Sequence, residues 1–260
     1  MANPGSDELA DLLVAAERIA RDAAAVILEV YRGDFAVRGK SDASPVTEAD
    51  ERAEALIVPA LRALAPALPV VAEEAAARGE APPPGARFWL VDPLDGTREF
   101  VARNGEFTVN IALIESGEPV LGVVYAPVTG RIFAGARRQG AWLEEPGAAR
   151  RAIACRKPPA DGAVLACSRS HGDDAAMARW LGSTRVARRV TAGSSLKFGL
   201  LAAGEADLYP RLGRTMEWDT AAGHAVLAAA GGSVCDLAGR PLRYGKPGYE
   251  NPHFVARGLP

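Results

Sequence analysis

Cysteine and histidine are scarce in this chain, at three residues each. Cys155, Cys167 and Cys235 are odd in number and scattered, which excludes a disulfide framework and a Cys-x-x-Cys metal site. Small buried thiols in a reducing cytoplasm fit that pattern. An excess of positive charge is also missing. Thirty Lys and Arg stand against 32 Asp and Glu, a formal net charge of -2, so there is no overall basic field for nucleic acid or an anionic membrane. No apolar run approaches the ~20 residues of a membrane span. The residues before the first apolar stretch include Asp7 and Glu8, and no signal-peptide core follows them. These absences predict a cytoplasmic protein with no integral membrane segment and no nucleic-acid partner. Peripheral membrane association stays open, as does the choice between monomer and homodimer. Internal repeats and low-complexity linkers are lacking too. Hydrophobic content of 48% over 260 residues is ordinary for a globular chain and leaves room for one large domain or two small ones.

What is present is concentrated at residues 92–100, Asp92-Pro93-Leu94-Asp95-Gly96-Thr97-Arg98-Glu99-Phe100, directly after the apolar run Phe88-Trp89-Leu90-Val91. A strand through the apolar run delivers two aspartates, three residues apart, to its C-terminal edge. Carboxylates held that close repel each other unless a cation sits between them. Their oxygens, with backbone carbonyls, suit a hard ion such as Mg2+. Gly96 allows close backbone approach to a ligand, Thr97 adds a hydroxyl, and a helix starting near residue 97 offers free N–H groups to a phosphate. Asp-Pro and Asp-Gly alone mark only turns; metal together with a phosphate seat points to metal-assisted phosphate ester chemistry.

Around this segment the pattern predicts a helix over residues 6–32, with Ser6 as cap and Gly33 as stop. A second helix is expected from Thr47 to about Leu64, where Thr47-x-x-Asp50 reads as a capping box. A strand at 68–72 ends at Glu73-Glu74, and 75–86, rich in proline and alanine, reads as a loop. Runs at 88–91, 107–114, 119–125 and 131–135, separated by turns, predict a largely antiparallel sheet of hairpins. Further on, strands are expected at 163–167, 185–190, 233–236 and 253–256, and helices at 193–203 and 219–230. The two halves, 1–150 and 151–260, read as packed subdomains.

The nonapeptide Asp-Pro-Leu-Asp-Gly-Thr-x-x-Phe resembles the metal-site signature of the inositol monophosphatase superfamily, the lithium-sensitive, Mg2+-dependent phosphatases. Glu73-Glu74 resembles the family's upstream pair, whose first member is a ligand. Trp218-Asp219-Thr220-Ala221-Ala222-Gly223 resembles its second signature, and Ser44-Pro45-Val46-Thr47-Glu48-Ala49-Asp50 also matches. Segments 103–114, 168–171, 193–198 and 208–211 resemble the 3'(2'),5'-bisphosphate nucleotidase branch. Leu212, near where inositol phosphatases carry a sugar-binding acid, favours that branch. The resemblance runs from about residue 6 to the end.

The resemblance implies the α/β class and the layered α-β-α-β-α sugar phosphatase fold. Its α+β N-terminal part carries metals, and its smaller α/β C-terminal part carries nucleotide contacts. It implies two or three Mg2+ ions. Glu73, Asp92, the Leu94 carbonyl and Thr97 would surround the one that activates water. Asp92, Asp95 and Asp219 would hold the one at the leaving oxygen. Asp50 would work with Thr97 on the nucleophilic water, although the cap reading of Asp50 competes. Substrate would lie against Asp95, Gly96, Thr97, Ser168, His171, Gly193, Ser194, Lys197, Arg211 and Asp219. Lys197 and Arg211 would clamp a phosphate the metals do not neutralise, and His171 would meet the adenine. The small-molecule substrate so implied is adenosine 3',5'-bisphosphate, giving AMP and phosphate, with 3'-phosphoadenylyl sulfate second. Hydrolysis of inositol phosphates or fructose 1,6-bisphosphate is the nearer alternative, and a non-enzymatic binding protein on this fold the more distant one.

Overall fold

In a computed structural model that describes residues 4–39, 45–169 and 174–260, the chain forms five alternating layers of helix and sheet. The first layer is a pair of helices. α1 (Pro4–Arg32) starts two residues before Ser6 and ends against Gly33, whose N–H meets the Val30 carbonyl at 3.1 Å. A small antiparallel ribbon, β1 (Val37–Gly39) with β2 (Pro45–Thr47), leads into α2 (Glu48–Leu64). The Thr47 hydroxyl accepts from Ala49 N, and Asp50 accepts from Thr47 N, so the capping box forms as expected.

The second layer is a seven-stranded sheet ordered β3-β4-β5-β6-β7-β8-β9. Its strands are β3 (Val70–Ala72), β4 (Arg87–Asp95), β5 (Thr108–Glu115), β6 (Glu118–Ala126), β7 (Arg131–Ala136), β8 (Gly140–Glu144) and β9 (Arg151–Ile153). β3 runs parallel to β4 and the other pairs are antiparallel, so the hairpin meander is there, with two further strands, β8 and β9. The period-two alternation serves two cores at once. Trp89 and Val91 of β4 pack with α1 and α2, whereas Phe88 and Leu90 face the opposite core. Between β3 and β4 a short helix, α3 (Glu73–Ala77), replaces the start of the expected loop. After β4 comes α4 (Thr97–Val101).

The remaining elements are β10 (Ala163–Ser168), α5 (Asp174–Leu181), β11 (Val186–Ala192), α6 (Leu196–Ala202), β12 (Leu208–Arg211), α7 (Ala221–Ala229), β13 (Ser233–Asp236) and β14 (Phe254–Arg257). α6 and α7 form the third layer. The fourth is the sheet β11-β10-β12-β14-β13, parallel over its first three strands and antiparallel at β14. α5 covers its outer face through Leu181 and Trp180, packed with Leu165, Leu208 and Val255. α7 lies against the large sheet at backbone contact: a Cβ on Gly122 of β6 would sit 2.2 Å from the Ala222 carbonyl oxygen. That close approach holds residues 218–220, just before α7, beside the end of β4. The helices expected at 193–203 and 219–230 are shorter than the sequence suggested, so Gly193, Ser194 and Asp219 precede their helices.

Candidate metal centre and cleft

Asp92 and Asp95 lie at the end of β4, where the ladder to β5 shifts register between them. Residues three apart on a regular strand point to opposite faces; the irregularity lets both serve one site. Asp92, Asp95 and Asp219 offer carboxylate oxygens that all lie within 4.8 Å of one another. Burial pushes the Asp92 carboxyl well above the usual range, and the charges of Glu73, Asp95 and Asp219 push it further. Asp219 is raised in the same way, by burial and then by Asp95 and Glu73. Asp95 is raised by burial, against a pull from the Ser194 hydroxyl, Lys197 and the Ser195 N–H. A set of hard oxygens crowded enough to resist ionisation fits a divalent oxygen-seeking cation. Leu94, held by its N–H to Asp92 Oδ1 at 3.0 Å, is fully buried among them.

The Glu73-Glu74 pair divides. Glu73 lines the cleft. Glu74 is buried, and its N–H donates to Glu54 Oε2 at 2.8 Å. Gly96, at φ 92°, turns the chain from β4 into α4, and Thr97 opens that helix. The Thr97 hydroxyl stands 3.1 Å from Asp50 Oδ1 and 3.5 Å from the Leu94 carbonyl. The other Asp50 oxygen accepts from both the N–H and the hydroxyl of Thr47, at 2.8 and 2.7 Å. The cap and the site therefore share one carboxylate, an oxygen each, and the two readings of Asp50 do not compete. Asp219, by contrast, is no cap: it accepts from Met216 N at 2.8 Å, and Thr220 stands at the start of α7.

Glu73, Asp95, Gly96, Thr97 and Asp219 line a cavity of about 380 Å³, and with them Ser168, Gly193, Ser194, Lys197 and Arg211. His171 lies outside the described residues. Lys197 is 3% exposed, and its ammonium donates to the carbonyls of Ala192 (3.0 Å) and Ser194 (2.5 Å). Burial lowers it to about 8. Arg211 donates to Ser168 Oγ at 2.8 Å and to the Arg214 carbonyl at 3.1 Å, and its buried Nε has no partner among the described residues. An orphan guanidinium donor in a cleft wall fits an anionic ligand.

The structure adds residues to which the sequence gave no role. Glu106 accepts both Nε and Nη2 of Arg169, at 2.9 and 2.6 Å, and the Gly193 N–H at 2.8 Å. The Ser195 hydroxyl donates to Asn110 Oδ1 at 2.7 Å, Ser194 Oγ to Asp95 Oδ2 at 2.5 Å and Ser195 N to the same oxygen at 2.7 Å. This network seats the 193–195 turn on β5 and fixes Asp95. Its signal in the sequence is the alternation Glu106, Thr108, Asn110 ahead of an otherwise apolar run.

The sequence profile described as the Inositol monophosphatase family matches residues 8–257. The 3'(2'),5'-bisphosphate nucleotidase CysQ of Shigella flexneri is 49% identical over 240 residues, which span 91% of this chain and 96% of that protein. The crystal structure of CysQ from Bacteroides thetaiotaomicron, a bacterial member of the inositol monophosphatase family, superposes with a TM-score of 0.80 at 34% identity, covering 96% of this chain and 98% of the other. An inositol monophosphatase from Zymomonas mobilis gives 0.77 at 28% identity, covering 96% and 93%. The chain belongs to the inositol monophosphatase family.

Proposed function

We propose that this protein is a Mg2+-dependent 3'(2'),5'-bisphosphate nucleotidase that hydrolyses adenosine 3',5'-bisphosphate to AMP and phosphate, with 3'-phosphoadenylyl sulfate as a second substrate. The observation that carries the reading is one cavity lined by Glu73, Asp95 and Asp219 and by Lys197 and Arg211, whose buried guanidinium Nε has no partner among the described residues. A substrate with a phosphate at each of two positions answers both features: one ester to cleave, one anion to hold. The likeness to nucleotidases, at 49% and 34% identity, supports the same choice over inositol phosphates.

Glu73, Asp92, the Leu94 carbonyl, Asp95 and Asp219 would hold two or three Mg2+ ions. Bound there, such ions acidify water and stabilise the departing oxygen. Phosphate monoesters are among the slowest uncatalysed hydrolyses, so this charge stabilisation is the larger part of the acceleration. The Thr97 hydroxyl can orient the attacking water and pass its proton to Asp50 Oδ1, 3.1 Å away. Thr47 clamps the other Asp50 oxygen, so the accepting one keeps its aim. The Gly96–Thr97 turn presents backbone N–H groups to the scissile phosphate. Arg211, Ser168 and the 193–194 turn take the phosphate that stays on the nucleotide, and Lys197 holds that turn from beneath. Residues 1–150 supply most acidic ligands and 151–260 most nucleotide contacts; α7 packing on the large sheet makes them one cleft.

The test is phosphate release with Mg2+ from adenosine 3',5'-bisphosphate, inositol 1-phosphate and fructose 1,6-bisphosphate side by side. The expected result is strong preference for the first, loss with EDTA, and inhibition by Li+. Preference for either other substrate overturns the nucleotidase assignment and leaves the phosphatase. Absence of release from all three overturns the enzyme itself.

A further inference from the structure

Arg169 and Gly193 line the cleft of the acidic cluster, and Glu106, in the loop between α4 and β5, stands behind them. Its carboxylate spans the two. Oε2 accepts from the Gly193 N–H at 2.8 Å and from Arg169 Nε at 2.9 Å, and Oε1 accepts from Arg169 Nη2 at 2.6 Å. The approach is close along the backbone too. A Cβ on Gly193 would sit 2.6 Å from the Glu106 carbonyl oxygen, so glycine is what lets the two segments touch there. Glu106 is itself held, its N–H donating to Asn104 Oδ1 at 2.9 Å. An ion pair as exposed as this one, with side chains 46% and 25% accessible, contributes little to stability. Its two parallel N–H donors fix direction instead.

What the carboxylate holds in place is a strained turn. Ser194 sits at φ 51°, a left-handed conformation costly for serine, and such residues persist where their neighbours over-determine them. Glu106 accepts from the N–H of Gly193 before it, Lys197 Nζ donates to its carbonyl, and its hydroxyl donates to Asp95 Oδ2. The next N–H, of Ser195, donates to the same Asp95 oxygen. One end of the turn is therefore anchored to Glu106 and the other aims Asp95. The penalty is electrostatic. A carboxylate one peptide unit from the seat of a phosphate repels that phosphate unless its charge is cancelled. Arg169, on the cleft side of Glu106, supplies the cancelling charge.

We propose that Glu106 is a positioning residue of the active site and that Arg169 masks its charge. The carboxylate holds the 193–195 turn, which both seats the retained phosphate and aims Asp95, and the guanidinium makes that carboxylate tolerable to an anion. Both act through the turn rather than on the reacting atoms. This role rests on the nucleotidase reading, because a substrate with a second phosphate is what makes the mask matter. It ties preference for that substrate to the metal side of the cleft through one turn.

The test is steady-state kinetics of the full-length protein with Mg2+ and adenosine 3',5'-bisphosphate. Arg169→Ala leaves the carboxylate bare beside the phosphate and should raise KM roughly tenfold, with kcat changed much less. Adding Glu106→Gln to that variant removes the bare charge and keeps an acceptor for the Gly193 N–H, so the double variant should bring KM most of the way back. Glu106→Ala frees the turn and should raise KM and lower kcat, each about tenfold, the scale of a lost hydrogen bond to a charged group. Glu106→Gln should recover most of that kcat. A double variant no better than Arg169→Ala overturns the mask and means that Arg169 meets the phosphate itself. Wild-type kcat and KM in Glu106→Ala overturn the positioning role. Because the pair is exposed, melting temperatures should stay near the wild type, and loss of folding in either alanine variant overturns the role in favour of a structural one. Wild-type protein that releases no phosphate from the bisphosphate overturns the nucleotidase reading and this role together. Wild-type turnover with an unmoved KM in Arg169→Ala overturns this role alone.

Discussion

Glu217 and Asp219 stand two residues apart, and the fold treats their charges in opposite ways. The fully buried Glu217 carboxylate accepts from the N–H groups of Gly245 (2.6 Å) and Lys246 (2.9 Å) and from the Lys246 ammonium (2.6 Å). Asp219 accepts from Met216 N and otherwise faces Asp92 and Asp95. A buried acid supplied with donors by its own chain is scaffold, because its charge is already compensated. A buried acid supplied with more acids is held ready for a cation from outside. The two share one short segment, so the scaffold that fixes residues 245–251 also fixes the approach of Asp219 to β4.

The sharpest way to break this comparison is Asp219→Asn. The amide still accepts from Met216 N, so the local turn survives. Removing the charge should cost phosphate release on the order of 10²–10³-fold, the scale of losing one electrostatic element of a transition-state site. The same change should leave the melting temperature in EDTA unchanged or raised, because burial and the neighbouring carboxylates oppose the aspartate charge in the metal-free fold. Near-normal turnover at saturating Mg2+, or a large drop in metal-free melting temperature, would place Asp219 with Glu217 as scaffold.

Asp50 is the intermediate case, one oxygen committed to the α2 cap and the other to Thr97. Thr97→Val removes the hydroxyl and keeps the shape. It should lower kcat by about 10²-fold, the lower range for loss of a proton-transfer group, while melting and KM change little. Thr97→Ser should restore most of the rate. A fall in Thr97→Val that serine does not rescue would mean that the methyl group, not the proton path, matters.

Much of this was legible in advance where one residue type has one physical meaning. The capping box at Thr47–Asp50, the meander of β4 to β7 and the aspartate pair of 92 and 95 follow from capping, alternation and like-charge repulsion. The five layers came through resemblance and are there in the structure. What stayed hidden depends on partners far away in sequence. Glu217 is silent because its donors arrive 28 and 29 residues later. Glu106 is silent because Arg169 is 63 residues away. The helices at 193–203 and 219–230 looked longer than they are, since their first residues turn aside to serve Asp95 and the cleft. Lys197, expected through the resemblance to clamp a phosphate, lies buried in the cleft wall with its ammonium on the carbonyls of Ala192 and Ser194, partners that the sequence does not announce.

The stability side of the comparison is read by Glu217→Gln. The amide cannot match three donors, two of them from Lys246, and should cost about 1.5–3 kcal/mol, the worth of hydrogen bonds to a charged group. At ~2–4 °C per kcal/mol for a chain of this size, melting should fall by several degrees. Mg2+ binding, followed by the metal-induced rise in melting temperature, should persist. A Glu217→Gln protein that melts normally but no longer responds to Mg2+ would reverse the two roles.

The mildest test concerns the far end of the same scaffold, where Asn251, Thr220 and Tyr244 connect Glu217 to His224. Burial lowers His224 to about 3 from an ordinary 6.5. Between those values the unfolded chain binds a proton that the folded chain refuses. His224 therefore costs nothing above pH 6.5 and takes stability away as the pH falls towards 3, by up to ~1.4 kcal/mol per pH unit. Other groups titrate in the same window, so the quantity to measure is the difference between wild type and His224→Gln in urea unfolding from pH 7 down to pH 5. The glutamine variant loses the tyrosine geometry and starts lower at pH 7, but its stability should decline less steeply, so the two curves converge as the pH falls. Parallel curves would show that His224 accepts its proton in the folded state, and the scaffold would then tolerate charge at this end as it does at Glu217.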